Sequence, residues 1–192
     1  MIQKIIEELP DILKQHICSM KKVSLDGTNN INMCDSQIKV INFDKVPNEY
    51  SRGKGWPNVP ASNDALYISD DKKWYFIEFK NGKVNKADIF RKLYDSLIKL
   101  IELGIIPGFQ FVRENVIYIL VYNSEKVPKI QQTESLNMTY SYFYHLAQTE
   151  ERLFELEKLE RYLFKETHTY TKELFDNNFI RNMEERERLA TN

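Results

Sequence analysis

The stretch Ser62-Asn63-Asp64-Ala65-Leu66-Tyr67-Ile68-Ser69, then Asp70-Asp71-Lys72-Lys73, then Trp74-Tyr75-Phe76-Ile77-Glu78-Phe79-Lys80 decides the fold. Two apolar runs flank a short polar turn, which is the pattern of a β-hairpin. An Asp opens the first strand and a Glu-x-Lys closes the second. Side chains alternate along a strand, so Trp74, Phe76, Glu78 and Lys80 share one face, and Tyr75, Ile77 and Phe79 the other. A carboxylate beside an ammonium at the end of so apolar a strand is costly unless it is paired or bound to a metal. Asp64 and Glu78 offer the hard oxygen ligands that Mg²⁺ prefers, and Lys80 stands beside them to position a water.

The pattern continues on both sides. Downstream, Asn81-Gly82 makes a turn, and residues 86–103 read as an amphipathic helix. Its inner stripe is Phe90, Leu93, Leu97 and Leu100, widened by Tyr94 and Ile101; Arg91, Asp95, Lys99 and Glu102 fall outside, and Gly104 stops it. Residues 115–122 form a continuous apolar run, the signature of a strand buried on both faces. Upstream, residues 37–43 predict a strand. Residues 44–61 carry Pro47, Gly53, Gly55, Pro57 and Pro60 and predict an extended loop. Asp26 to Asn30 is a turn cluster. The first 20 residues place Ile2, Ile5, Ile6, Leu9, Ile12, Leu13, Ile17 and Met20 at helical spacing, interrupted by Pro10.

The predicted order is helix, strand, strand, strand, helix, strand: an α/β core over residues 1–123 with a mixed sheet flanked by helices. Residues 124–140 are polar and strand-poor. Beyond them Leu153, Leu156, Leu159, Tyr162 and Leu163 suggest one helix, and Leu174, Phe175, Phe179 and Met183 another. Residues 124–192 are therefore expected to be a helical extension packed on the core, the whole forming a single domain.

The spacing Asp64-x13-Glu78-x-Lys80 resembles the core motif of the PD-(D/E)XK nuclease superfamily, whose members share the restriction-endonuclease-like fold. Asn63 stands where that family often has Pro. The resemblance implies that Asp64 and Glu78 are metal ligands, joined by the backbone carbonyl of Phe79. It implies that Lys80 orients or activates the attacking water, and that Mg²⁺ or Mn²⁺ is the cofactor. Related nucleases often lend a helix carboxylate to the metal, which nominates Glu8 ahead of Glu7, although helix glutamates usually face water. A basic side chain on the helix after the motif often meets the scissile phosphate, which nominates Lys86 and Lys92; an exposed face is the alternative reading.

Composition sets the bounds. At 192 residues, 42% hydrophobic and 12% aromatic, the chain can bury one substantial core. A net charge of −1 argues against a protein that coats DNA generically. Charge is nonetheless uneven: residues 72–92 hold Lys72, Lys73, Lys80, Lys83, Lys86, Arg91 and Lys92 against Glu78 and Asp88. Either a phosphate-facing zone or a solvated lysine face explains this. Arg52-Gly53-Lys54-Gly55-Trp56 can grip a phosphate backbone and stack a base, or can anchor a loop through its Trp. Tyr140, Tyr142, Phe143 and Tyr144 read as core packing. Cys18, Cys34, His16, His145 and His168 have no zinc-site spacing, and no Walker loop or Gly-x-Ser-x-Gly elbow occurs. A reduced cytoplasmic protein without signal peptide or membrane span is expected.

The resulting expectation is metal-dependent hydrolysis of DNA, in restriction, phage defence or a mobile element. The alternative is a non-catalytic module on the same fold, acting through a protein partner. A homodimer fits either.

Overall fold

The structure, a computed structural model, describes residues 8–126 and 150–191. Helix α1 (Asp11–Lys14) leads into β1 (Ile17–Ser19), α2 (Met20–Val23), the small hairpin β2 (Leu25–Asp26) and β3 (Ile31–Asn32), and β4 (Lys39–Asn42). Then come α3 (Lys45–Lys54), β5 (Ala65–Ile68), β6 (Trp74–Lys80), α4 (Lys86–Glu102), α5 (Phe109–Asn115) and β7 (Val116–Tyr122). A 3₁₀ turn (Leu156–Leu159) precedes β8 (Glu166–Thr171), α6 (Lys172–Phe175), a π-helical turn (Asp176–Ile180) and α7 (Arg181–Thr191).

Among the described residues, six strands form one mixed sheet in the order β1-β4-β5-β6-β7-β8. The pairs β1/β4, β4/β5 and β5/β6 are antiparallel, whereas β6/β7 and β7/β8 are parallel. The chain is thus an α/β protein. Both faces of the sheet are covered, and β7 shows how. Tyr118 and Leu120 point into a core shared with Leu66, Phe76, and Leu93, Leu97 and Leu100 of α4. Ile117, Ile119 and Val121 point into a second core with Tyr67, Tyr75, Phe175, Phe179 and Met183. Every residue of β7 is buried, as its unbroken apolar run requires. Each large aliphatic or aromatic side chain so enclosed contributes roughly 1.5–3 kcal/mol.

Several sequence expectations need correction. Residues 166–171 are not part of a helical extension: Glu166–Thr171 is the sixth strand, parallel to β7. Its alternating threonines favour the pleated backbone, but their polarity hid it from a hydrophobicity pattern. Its outer edge is capped by acidic side chains. The Thr167 and Thr169 N–H groups donate to Glu160 Oε1 at 3.0 Å and Glu150 Oε1 at 2.9 Å, which blunts an edge that no described strand pairs.

The expected helix over Leu153–Leu163 is a single 3₁₀ turn, because Phe154, Glu155 and Arg161 adopt positive φ near 62°, 62° and 61°. Left-handed residues cannot continue an α-helix. Leu156, Leu159 and Leu163 still reach the core, while Tyr162 is 69% exposed. Among the described residues of the extension, the α-helical part is the last one, where Leu174, Phe175, Phe179 and Met183 cover the sheet.

The expected loop over 44–61 contains α3. Pro47 lies in its first turn, where a missing N–H removes no helical hydrogen bond. Gly55 closes the helix at φ 67°, a conformation that favours glycine. Ile17 begins a strand rather than extending the first helix, and α1 restarts at Pro10 as its cap. Ile2, Ile5, Ile6, Glu7, the 127–140 stretch, Tyr140, Tyr142, Phe143, Tyr144 and His145 lie outside the described residues. No described helix is long and apolar enough to cross a membrane.

Candidate functional site

Register brings the two carboxylates together. Ala65 pairs with Ile77 and Leu66 with Phe76 across the antiparallel β5/β6 pair. One step beyond, Asp64 stands opposite Glu78. Directly opposed residues project to the same face, here the face covered by α4. Glu78 is fully enclosed, while Lys80 at the strand end keeps 24% of its side-chain surface.

One ammonium from α4 joins them. Lys92 Nζ lies 3.0 Å from Asp64 Oδ1 and 2.7 Å from Glu78 Oε1. The two oxygens are therefore no farther apart than the sum of those contacts. Lys80 Nζ approaches the same Glu78 Oε1 at 2.9 Å. Asp64 is held from its other side, since the Phe79 N–H donates to Oδ2 at 2.7 Å. Glu78 Oε2 is buried and has no hydrogen-bond partner among the described residues.

Burial dominates the electrostatics. It holds the Glu78 carboxyl well above the usual carboxylate range, and the Asp64 charge adds to this, while Lys92 and Lys80 pull back. Asp64 is raised by burial too; Lys92 opposes the shift and Asp44 reinforces it. Burial works against the Lys92 ammonium, but Asp64 and Glu78 together hold it above its ordinary value.

The same helix grips the segment leading into Asp64, which lies before β5 begins. Asp95 Oδ2 accepts from the Ala61 N–H at 2.9 Å, Lys99 Nζ donates to the Ala61 carbonyl at 3.2 Å, and Ser96 Oγ accepts from the Asn63 N–H at 2.9 Å. Ser62 adds a hydroxyl donated to Asp44 Oδ1 at 2.8 Å. Lys92, Asp95, Ser96 and Lys99 recur at spacings of three and four, so they form one polar stripe.

This corrects the sequence-based placement of Asp95 and Lys99 on the outer surface, because Lys99 is only 3% exposed. Amphipathic patterning sorts charged residues outward and cannot anticipate a helix stripe that satisfies a strand-entry backbone. The signal that could have found it is the run of polar residues at i, i+3, i+4 and i+7 beside the motif.

Lys99 gives a pH test. Burial pushes its ammonium down to about 8, with Asp95 and Asp44 acting against the shift. The unfolded chain, with a lysine pKa near about 10.4, binds that proton more tightly. Stability from this group is therefore deficient at neutral pH and is recovered as pH rises from about 8 towards 10. Urea melts of wild type and Lys99→Met should converge or cross in favour of wild type over that window. Parallel pH dependences of the two proteins would remove the assignment.

The other nominated residues are placed as follows. Glu8 is exposed, and it is not among the contacts of Asp64 or Glu78. Lys86 pairs with Glu155 at 2.5 Å, and Lys158 shares the same carboxylate. Arg52 and Lys54 are exposed on the last turn of α3, with Lys54 Nζ 5.5 Å from the Tyr50 ring centre. Trp56 packs edge-on against Tyr50 yet remains 43% exposed, so its role as an anchor is partial. Lys92 turns inward to the carboxylates. Among the described residues, no group of three or more His, Cys, Asp or Glu side chains converges as a metal cluster.

Comparison of the chain with models of known protein families, with curated proteins and with solved structures finds no match.

Proposed function

We propose that the chain is a metal-dependent nuclease of the restriction-endonuclease-like class, hydrolysing DNA phosphodiester bonds at Asp64, Glu78 and Lys80. The observation that carries this reading is the facing pair of carboxylates, Glu78 fully buried and Asp64 partly so, with one Glu78 oxygen unpartnered among the described residues. Their donor set fits a hard divalent cation. Mg²⁺ is commonly bound by one or two carboxylates, with water and substrate phosphate completing its shell. Asp64, Glu78 and the Phe79 carbonyl would hold Mg²⁺ or Mn²⁺, with Glu8, exposed and out of contact with either carboxylate, a weak further candidate. Such an ion, when bound, polarises the scissile phosphate and lowers the pKa of the attacking water.

The chain's own residues supply orientation. The Phe79 N–H fixes the Asp64 carboxylate, leaving Oδ1 turned towards Glu78 and Lys92. Lys80 Nζ, anchored on Glu78 Oε1 and partly open to solvent, places positive charge where a water or a developing oxyanion would sit. Arg52, Lys54 and, after release from Glu155, Lys86 are the candidate backbone contacts. The test is plasmid nicking by purified protein in Mg²⁺ or Mn²⁺, stopped by EDTA. Cleavage that survives thorough chelation would sink the metal-dependent reading.

One observation favours a second reading. Among the described residues, Asp64 and Glu78 are matched by two ammoniums, Lys80 and Lys92, which balances the cluster without an added cation. A cluster of that kind also suits a non-catalytic module on the same fold, bound to a protein partner. Inertness on DNA with and without divalent ions, together with a stable partner complex, would support it.

A further inference from the structure

Tyr118 sits in the middle of β7 with its ring fully enclosed, packed against Phe164 at a centroid distance of 5.6 Å. A phenylalanine would fill the same space without placing a hydroxyl in the core. The Tyr118 hydroxyl is buried and has no hydrogen-bond partner among the described residues. Leaving such a group unmatched costs about 1–3 kcal/mol, and buried polar groups are paired in the great majority of cases.

The other orphan nearby is complementary. Glu78 Oε2 is an acceptor without a donor among the described residues, and a phenol is a donor. Register makes them neighbours: Phe76 is opposite Tyr118 and Glu78 is opposite Leu120, so Tyr118 is the diagonal neighbour of Glu78 on the same face. Burial keeps the phenol protonated, and the charges of Glu78 and Asp64 reach it and add to that effect.

We propose that Tyr118 is a positioning residue for the carboxylate pair, its hydroxyl donating through one internal water to Glu78 Oε2. This deepens the nuclease reading and rests on it for its functional consequence. The link fixes the carboxylate rotation from below, so that Oε1 faces Lys80 and Lys92 while Oε2 keeps a defined direction. A water with two polar partners in an enclosed site is a normal structural element. Outer partners of ligand side chains tune affinity in the same way.

The test has two arms. In EDTA, urea unfolding of wild type, Tyr118→Phe, Glu78→Gln and the double variant forms a thermodynamic cycle. The unfolding constant of the double variant should depart from the product of the single effects by about tenfold, as expected for linked groups. In the second arm, calorimetric titration with Mn²⁺ should show Tyr118→Phe binding about tenfold more weakly than wild type. Additive effects in the cycle overturn the proposal, because a purely packing role for Tyr118 leaves the two changes independent. Unchanged Mn²⁺ affinity in Tyr118→Phe overturns the positioning role. If wild type itself binds no Mn²⁺, the metal reading fails, and the cycle alone still decides whether Tyr118 and Glu78 are linked.

Discussion

Asp64→Asn is expected to abolish Mn²⁺ binding and DNA cleavage together, whereas Lys80→Ala keeps the ion and loses turnover by about 10²–10³-fold. Asn retains an oxygen to accept the Phe79 N–H, so the β5/β6 junction survives while the charge is lost. Lys80 is not a ligand for a cation. Its removal leaves Glu78 paired with Lys92 and takes away one of the two ammoniums on Glu78 Oε1. Calorimetry and plasmid nicking on the same preparations separate the two effects. Equal, robust cleavage by wild type and Lys80→Ala would contradict the proposed role of Lys80. Wild type and both variants equally inert on DNA would remove the nuclease reading and leave the binding module standing.

Lys92→Met should have the largest effect on stability, and it discriminates between the two readings. The ammonium touches both carboxylates and its side chain is 23% exposed, so among the described residues its loss leaves buried Glu78 with Lys80 and Asp64 with no ammonium. Breaking a buried pair by removing one partner costs roughly 3–5 kcal/mol. That loss should appear in urea melts of the metal-free protein. A pair that takes divalent cations should then recover stability on Mn²⁺ addition, by about 2.7 kcal/mol at a hundredfold excess over Kd. Lys92→Met that is destabilised and indifferent to Mn²⁺ would show that the carboxylates accept only the internal ammonium. Full stability without Lys92 would show that it is not the balancing charge.

Much of the site's geometry was legible because it depends on period-two alternation and on a short hairpin. Once Trp74–Lys80 is a strand, Glu78 and Lys80 must share the face of Phe76, and the turn over 70–73 sets Asp64 against Glu78. The apolar run over 116–122 and the helix over 86–102 were readable for the same reason: burial demands apolar residues at the structural period. The strand Glu166–Thr171 was hidden because its inward residues are threonines, buried at 1% and 2% for Thr167 and Thr169 and satisfied by neighbouring backbone and glutamates. Helix α3 was hidden because Pro47 and Gly55 were read as breakers, though one lies in its first turn and the other closes it.

By itself, then, the sequence determined local matters: which residues alternate, where the hairpin turns, and which three side chains end on one face. Those follow from backbone period and turn chemistry, which act over a few residues. Only the tertiary structure decided that Lys92 reaches both carboxylates, that Lys99, Ser96 and Asp95 grip residues 61–63, and that Tyr118 is diagonal to Glu78 with its hydroxyl unmatched among the described residues. These contacts join segments far apart in the chain. They exist because α4 packs across the sheet with its polar stripe over the β5 entrance, a choice made by the summed burial of the core rather than by any local pattern.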